Sequence, residues 1–530
     1  MEEPLPRSSA PELIFGMIAP IGVDLDLVID VLDHTLQEMN YDTCQIHLTR
    51  LMREIPTDIS IADAPVIKSY KDRIAYADKV CSLLGKDALA FLAVSAIRSF
   101  RSKEREKESA EKRGRNKLVA GETNEDAPLP HQAYIVRQLK RPEEVSLLRG
   151  VYGKQFVLVS AYAPQETRER RIAELERQSR GGLVSEVEAT NLAHSLVMQD
   201  AKEALDEYGQ NVRDAFPLGD VFIDATSRRK CEETIRRFIN LFFGSNEVTP
   251  THDEYGMYLA KSVSLRSSDL SRQVGAAIFR RSGEVVTLGC NEVPKAGGGT
   301  YWSGEPNDSR DIMQGRDPNE THKVEVLVDI LDRLKKGGHL SEKLQAMTDT
   351  YEIGKLLLEE RSEHAVADSR IMDLLEFGRI IHAEMSAICD ASRKGVSIEG
   401  ATLYTTAFPC HLCAKHIVAA GIQRVIYLEP YPKSYASALH RDSIAVDDDG
   451  TTDKVRFDAF IGVSPFRYRD LFEKGKRKYS GGLAQKWNRG ERRPMIEVYF
   501  PSYFEAETRV VGLMNRRLEE VLGNPSSARE

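Results

Sequence analysis

The 530-residue chain has no apolar run near the roughly 20 residues that a membrane-spanning helix needs, so no such span is expected. Its opening, MEEPLPRSSAPE, holds neither a basic stretch nor an apolar one, and no secretory leader is expected. Cysteine is sparse: Cys44, Cys81, Cys231, Cys290 and Cys389 are scattered, and only Cys410 and Cys413 are close. That spacing excludes a disulfide framework and predicts a reducing, cytoplasmic setting. Basic residues do not dominate either. The 73 Lys and Arg face 81 Asp and Glu, a net charge of −8, which argues against a whole-surface nucleic-acid binder. No internal repeat is present. What remains, 41% hydrophobic and 29% charged, is the composition of a soluble protein of two or three domains.

Alternating patterns run through residues 1–245, with strands at 13–19, 133–139, 155–163 and 220–225 and helices at 25–39, 87–100 and from Pro142. This alternation predicts a doubly wound parallel sheet. Residues 101–130 break it. They are charged and poor in apolar side chains, and are expected to be a helix end running into a mobile loop. A second domain is expected over 246–475, opening on Thr251 and Glu254, a capping-box pair. Strands at 273–280 and 284–290 follow, joined by RSG, then an insertion over about 294–375 that is Gly-rich at first and helical later. After it come helix 382–394, strand 402–408, helix 410–420 and strand 424–429. The expected architecture is α/β/α around a mixed five-stranded sheet. Residues 476–530 read as a polar tail with a helix near 505–522.

In IIHAEMSAI (380–388), Ile381, Met385 and Ile388 recur at helical spacing, with His382 and Glu384 at the mouth of the helix. The segment PCHLC (409–413) places Cys410 and Cys413 at the start of the next helix. Residues i and i+3 share a face there, and the positive helix end favours thiolates. With His382 they make three zinc ligands, which leaves a fourth position for water, as in catalytic rather than structural sites. Glu384 is then a proton shuttle beside the metal. His-x-Glu followed by Pro-Cys-x-x-Cys is the signature of zinc deaminases. The alternatives are a redox pair, or a closed structural site completed by His411 or His416. Pro409 and the upstream His382–Glu384 pair favour the open site. Cys389 reads as a core residue.

On these residues the chain resembles the cytidine deaminase superfamily, and within it the deoxycytidylate deaminases. SRQVGAAI (271–278) and GCNEVPKAGGG (289–299) look like that family's strand and sugar-binding loop. YPKS (431–434) and FIGVSPFRYRDLF (460–472), behind a P-loop-kinase-like first half, look like the bacterial anti-phage dCTP deaminases. The resemblance implies hydrolytic deamination of dCTP, dCMP or both, Zn2+ as cofactor and depletion of the dCTP pool in antiviral defence. It also implies a homo-oligomer and a regulatory small RNA. A housekeeping dCMP deaminase and an RNA or DNA base editor are the alternatives. Asn291 would hydrogen-bond the deoxyribose. A nucleotide also needs cations at the mouth of the site, for which Arg272, Lys295 and Lys433 are the candidates. Tyr301 and Trp302 are candidates to cover the base or sugar. The first domain departs from a working kinase, because Gly22 is followed by Val23 and Asp24 rather than Lys and Ser or Thr. It is expected to be a control element without phosphoryl transfer, with Arg168, Arg170 and Arg171 as a candidate phosphate-gripping group.

Overall fold

The computed structural model describes residues 10–115, 127–202, 208–359, 366–430, 434–447, 453–485, 487, 493–496 and 503–522. The chain forms two compact units, Met1–Glu254 with Ile461–Glu530, and Tyr255–Phe460.

In the first unit β1 (Leu13–Ile18), β2 (Asp42–His47), β3 (Gln132–Leu139), β4 (Phe156–Tyr162) and β5 (Val221–Asp224) pair in parallel, in the order β5-β4-β1-β3-β2. Every residue of β1, LIFGMI, is buried, as a central strand covered on both faces requires. The edge strand β2, DTCQIH, has no apolar alternation and lies half-exposed, so nothing in its pattern announces a strand. The loop after β1 ends at Asp24. This residue caps the helix Leu25–Gln37 by accepting the Leu27 N–H at 3.2 Å, and it pairs with Arg171 at 2.9 Å. The positive helix start therefore already carries a carboxylate.

The helix read at 87–100, with its end expected inside the charged stretch, runs Ala88–Arg115. Ion pairs one turn apart, Glu104–Lys107 and Arg105–Glu108, carry it into the charged stretch. Of the rest of the expected loop, residues 116–126 lie outside the described residues and 127–130 hold no helix or strand.

The second unit holds β6 (Gly275–Phe279), β7 (Val285–Cys290), β8 (Thr402–Ala407), β9 (Arg424–Glu429), β10 (Ile444–Val446) and β11 (Val455–Ala459), in the order β10-β11-β9-β8-β6-β7. β6 is antiparallel to β7 and β8, and the remaining pairings are parallel. The sheet has six strands rather than the expected five. The sixth, β10, is three residues long, too short for a periodic signal. In the long insertion, helices Pro318–Lys336 and Thr350–Glu359 pack around Leu327, Leu331 and Ile353.

The second unit also ends earlier than residue 475. β12 (Gly462–Val463) pairs antiparallel with β5, and the Ser464 N–H donates to the Asp220 carbonyl at 3.0 Å. The helix Tyr503–Leu522 packs on helices Val66–Leu84, Ala88–Arg115 and Pro142–Tyr152 of the first unit. Among the described residues no single helix is long and apolar enough to cross a membrane. Val66–Leu84 and Ala88–Ala110 reach that length and apolarity only jointly, across an 89° bend.

Candidate metal centre and active site

The site begins where helix Ala383–Arg393 lies on β7. A Cβ at Gly289 would stand 2.3 Å from the Ala383 carbonyl oxygen and 2.5 Å from the Ala387 nitrogen, so this approach requires glycine. Small residues face it: Ala383, Ala387 and Ala391 are all buried. Just upstream, Ile381 and Glu292 exchange backbone hydrogen bonds of 3.2 and 3.3 Å, which fixes the entry to the helix. His382 is its N-cap residue. Opposite, Cys410 is the N-cap residue of helix His411–Ala419, with Cys413 in the first turn.

These two helix starts converge. His382 Nδ1 is 3.3 Å from Cys410 Sγ and 3.4 Å from Cys413 Sγ, and the three ligand atoms lie within 4.8 Å of one another. Among the described residues no other group of three His, Cys, Asp or Glu side chains gathers in this way. A tetrahedral zinc with sulfur at about 2.3 Å and nitrogen at about 2.0 Å needs N···S separations of roughly 3.5 Å, so the donor set fits the metal. No cysteine is in a disulfide. His411 turns aside, its ring edge-on to Tyr435 at 5.9 Å, and His416 is exposed.

The electrostatics favour a thiolate. Hydrogen bonds from Cys413 and then His382 pull the Cys410 thiol well below its ordinary value, against burial. The Cys410 bond raises the His382 imidazole, again against burial. Glu384, in the first turn, is 4% exposed. Burial, then the Cys410 charge, pushes its carboxyl above the usual carboxylate range, so the group is ready to hold a proton.

The other expected site residues fare unequally. Asn291, at the end of β7, is buried and engaged: its Nδ2 donates to Asp269 Oδ2 at 2.8 Å and the Arg272 carbonyl at 2.7 Å. Its Oδ1 accepts the Val274 N–H at 2.7 Å. Arg272 is exposed, and its guanidinium has no partner among the described residues. Lys295 is paired with Glu305. Trp302, 55% exposed, lies flat on the Arg266 guanidinium, 3.7 Å from ring centroid to Cζ. Lys433 lies outside the described residues. Its neighbour Ser434 donates to the Pro409 carbonyl at 2.8 Å, just before Cys410. Cys389 is exposed rather than in the core, because the buried face of its helix is the alanine one.

Three groups here escape sequence reasoning. Asp269 holds Asn291 and acts on the His382 charge. Arg266 anchors the Trp302 loop through Thr300 Oγ1 at 2.6 Å. Arg379, three residues before His382, pairs with Asp311 of the insertion at 2.9 Å. Each pairing spans tens of residues, and no local pattern marks it.

Residues 250–429 match the family model described as the cytidine and deoxycytidylate deaminase zinc-binding region. The deoxycytidylate deaminase of Enterobacteria phage T2 is 33% identical over 179 residues, which is 34% of this chain and 80% of that protein. The chain belongs to the deoxycytidylate deaminase family. ComE operon protein 2 of Bacillus subtilis (strain 168) is 37% identical over 109 residues, 20% of this chain and 51% of the relative. The solved dCMP deaminase of cyanophage S-TIM5, in complex with dCMP and dUMP, is 17% identical. That match covers 40% of this chain and 99% of that one, with a TM-score of 0.21. With the family comes the enzyme class, zinc-dependent hydrolytic deamination, and the donor set at His382, Cys410 and Cys413 agrees with it.

Proposed function

We propose that this chain hydrolyses the exocyclic amine of deoxycytidine nucleotides, dCMP and dCTP, to the uracil nucleotide and ammonia. The observation that carries this reading is the convergence of His382, Cys410 and Cys413 beside the buried Glu384. Zinc held by the three ligands supplies Lewis acidity that makes water nucleophilic near neutral pH. Glu384 moves the protons. Its carboxylate accepts the proton that water loses, burial keeps that proton from bulk solvent, and the acid then delivers it to the pyrimidine ring nitrogen. The same carboxyl then takes the proton of the hydroxyl added at C4 and hands it to the amine. One water is consumed, the C4–N bond breaks, and C4=O forms as ammonia leaves.

Around that centre, Asn291 orders the loop 269–274 and offers the second lone pair of Oδ1 to a deoxyribose hydroxyl. Arg272, without a partner, is the phosphate contact that needs no rearrangement; Lys433 and Lys295 are the others, the last after release from Glu305. Trp302, stacked on Arg266, covers the sugar or base. Trp302→Ala is then expected to raise KM severalfold at nearly unchanged melting temperature. Arg272→Ala is expected to raise KM for dCMP more than for free deoxycytidine. A lower melting temperature with wild-type kinetics in the first variant would make Trp302 a packing residue. Equal losses on both substrates in the second would remove Arg272 from phosphate recognition.

The order β5-β4-β1-β3-β2 supports a P-loop-kinase-like first unit, and Asp24 at the helix start supports the absence of phosphoryl transfer from it. We read this unit as a control element of a homo-oligomer that lowers the dCTP pool during viral infection, restrained until then, with a small RNA as one candidate restraint. The experiment is ammonia release from dCMP, dCTP, CTP and a cytosine-bearing oligonucleotide, together with dCTP pools in infected cells carrying the wild type or Glu384→Ala. Turnover of the deoxycytidine nucleotides alone, and a pool that falls only with the wild type, are expected. Preference for the oligonucleotide overturns the substrate, and an unaltered pool overturns the defence role.

A further inference from the structure

The first unit contains a cavity of about 540 Å³, within the range of small-ligand pockets. It opens at the carboxyl ends of β1, β2 and β3, bordered by Pro20–Leu25, His47–Arg53 and Arg137–Arg141. β1 is the strand where the sheet order reverses, with β2 and β3 on one side and β4 and β5 on the other. Open α/β sheets take ligands in the crevice at that point.

Its lining is strongly cationic in a chain of net charge −8. Arg50, Arg53, Arg73, Arg137, Lys140 and Arg171 all face it, and Asp26 is the one carboxylate among the lining residues. Some of these charges are already answered. Arg171 pairs with Asp24 and Arg137 with Asp26, while Lys140 stands 3.9 Å from Asp200. Arg141, also in the wall, is held by Asp78 and Glu144. Arg50, Arg53 and Arg73 have no carboxylate partner among the described residues; Arg73 bonds only the Ser69 hydroxyl, at 3.0 Å. The positive field acts on its neighbours: burial, then the Arg50 and Arg137 charges, holds His47 below its ordinary value. Uncompensated guanidinium groups around one concavity concentrate anions there. Their planar forks match phosphate oxygens two at a time.

Between His47, Thr49, Gln138 and Gln210, part of the wall is apolar. Ile74 and Ala77, on helix Val66–Leu84, line it with the half-buried ring of Tyr70. Leu48 and Leu175 come from other elements. Inorganic phosphate alone would leave this surface wet, whereas a phosphate carried on a flat heterocycle covers it.

We infer that this cavity binds a nucleoside phosphate, gripped by Arg50, Arg53 and Arg73 rather than by the loop Gly22-Val23-Asp24. The mode differs from a phosphate-binding loop, because Asp24 already occupies the helix start. The site lies wholly within the first unit and is chemically independent of the zinc centre.

The test is isothermal titration of the full-length, zinc-loaded protein with ATP, GTP, inorganic triphosphate and adenosine. ATP or GTP is expected to bind saturably at one site per chain, at least tenfold more tightly than triphosphate or adenosine alone. The double variant R50E/R53E changes two exposed side chains without partners among the described residues and is expected to keep its circular dichroism and zinc content while losing at least tenfold in nucleotide affinity. R50Q/R53Q, the milder pair, is expected to fall between. Glu384→Gln is expected to bind ATP as the wild type does, which separates this cavity from the deaminase site. Four results overturn the inference: no saturable binding of either nucleotide, wild-type affinity in both arginine pairs, inorganic triphosphate binding as tightly as ATP, or an RNA oligonucleotide displacing ATP through the same arginines.

Discussion

Glu384→Gln is expected to lower kcat by ~10²–10⁴-fold while zinc stays at one ion per chain and KM for the nucleotide changes little. The amide keeps the size of the side chain, and hence the packing of the first turn of helix Ala383–Arg393, but it cannot accept the proton from water. His382, Cys410 and Cys413 keep their helix-start geometry, which rests on the Ile381–Glu292 bridge and on Gly289, neither of which involves Glu384. Kinetics and metal analysis on the same preparation separate the outcomes. Full rate would remove Glu384 from proton transfer. Loss of the metal would make it part of the ligand set instead.

The site was legible because its chemistry is local. Cys410 and Cys413 stand one turn apart, His382 and Glu384 two residues apart, and each pair sits at a helix start that propensity and capping patterns mark. The face those helices bury was harder to read. Met385 and Ile388 suggested the inner stripe, yet the fully buried positions are Ala383, Ala387 and Ala391. Close approach to β7 at Gly289 rewards small side chains there, and hydrophobicity scales give alanine little weight. Exposed Cys389 follows from the same rotation of the helix. In the first unit the buried strands β1, β3, β4 and β5 were visible as apolar runs. The edge strand β2 was not, and β12 was invisible because its partner β5 lies more than 200 residues upstream. Arg101 departs most plainly from its sequence context. It begins a charged stretch that looks solvated, but it is 2% exposed, because its partners come from residues no window includes.

Those partners make the second large prediction. Arg101 Nε and Nη2 donate to Glu12 at 3.0 and 2.9 Å, and Nη1 and Nη2 donate to Glu507 at 2.8 and 3.0 Å. Both carboxylates are fully buried. Glu12 also accepts from the Tyr503 hydroxyl at 2.7 Å, the Tyr134 hydroxyl at 3.0 Å and the Leu129 N–H at 3.0 Å. The Arg101 guanidinium lies over the Phe504 ring at 4.7 Å. One guanidinium thus ties the start of β1 and the helix Ala88–Arg115 to the helix Tyr503–Leu522. Arg101→Met fills the space but leaves two buried carboxylates without their cation, a loss of about 3–5 kcal/mol. Glu12 keeps its three neutral donors, so the larger share falls on Glu507. Arg101→Met is therefore expected to lower the urea midpoint of the first unit sharply and to expose helix Tyr503–Leu522 to protease. Adding Glu507→Leu, which removes the stranded carboxylate, is expected to restore part of that loss. An unchanged midpoint in the single variant, or a double variant worse than the single, would mean that packing of the helix, not the buried charge network, holds the C-terminal segment in place.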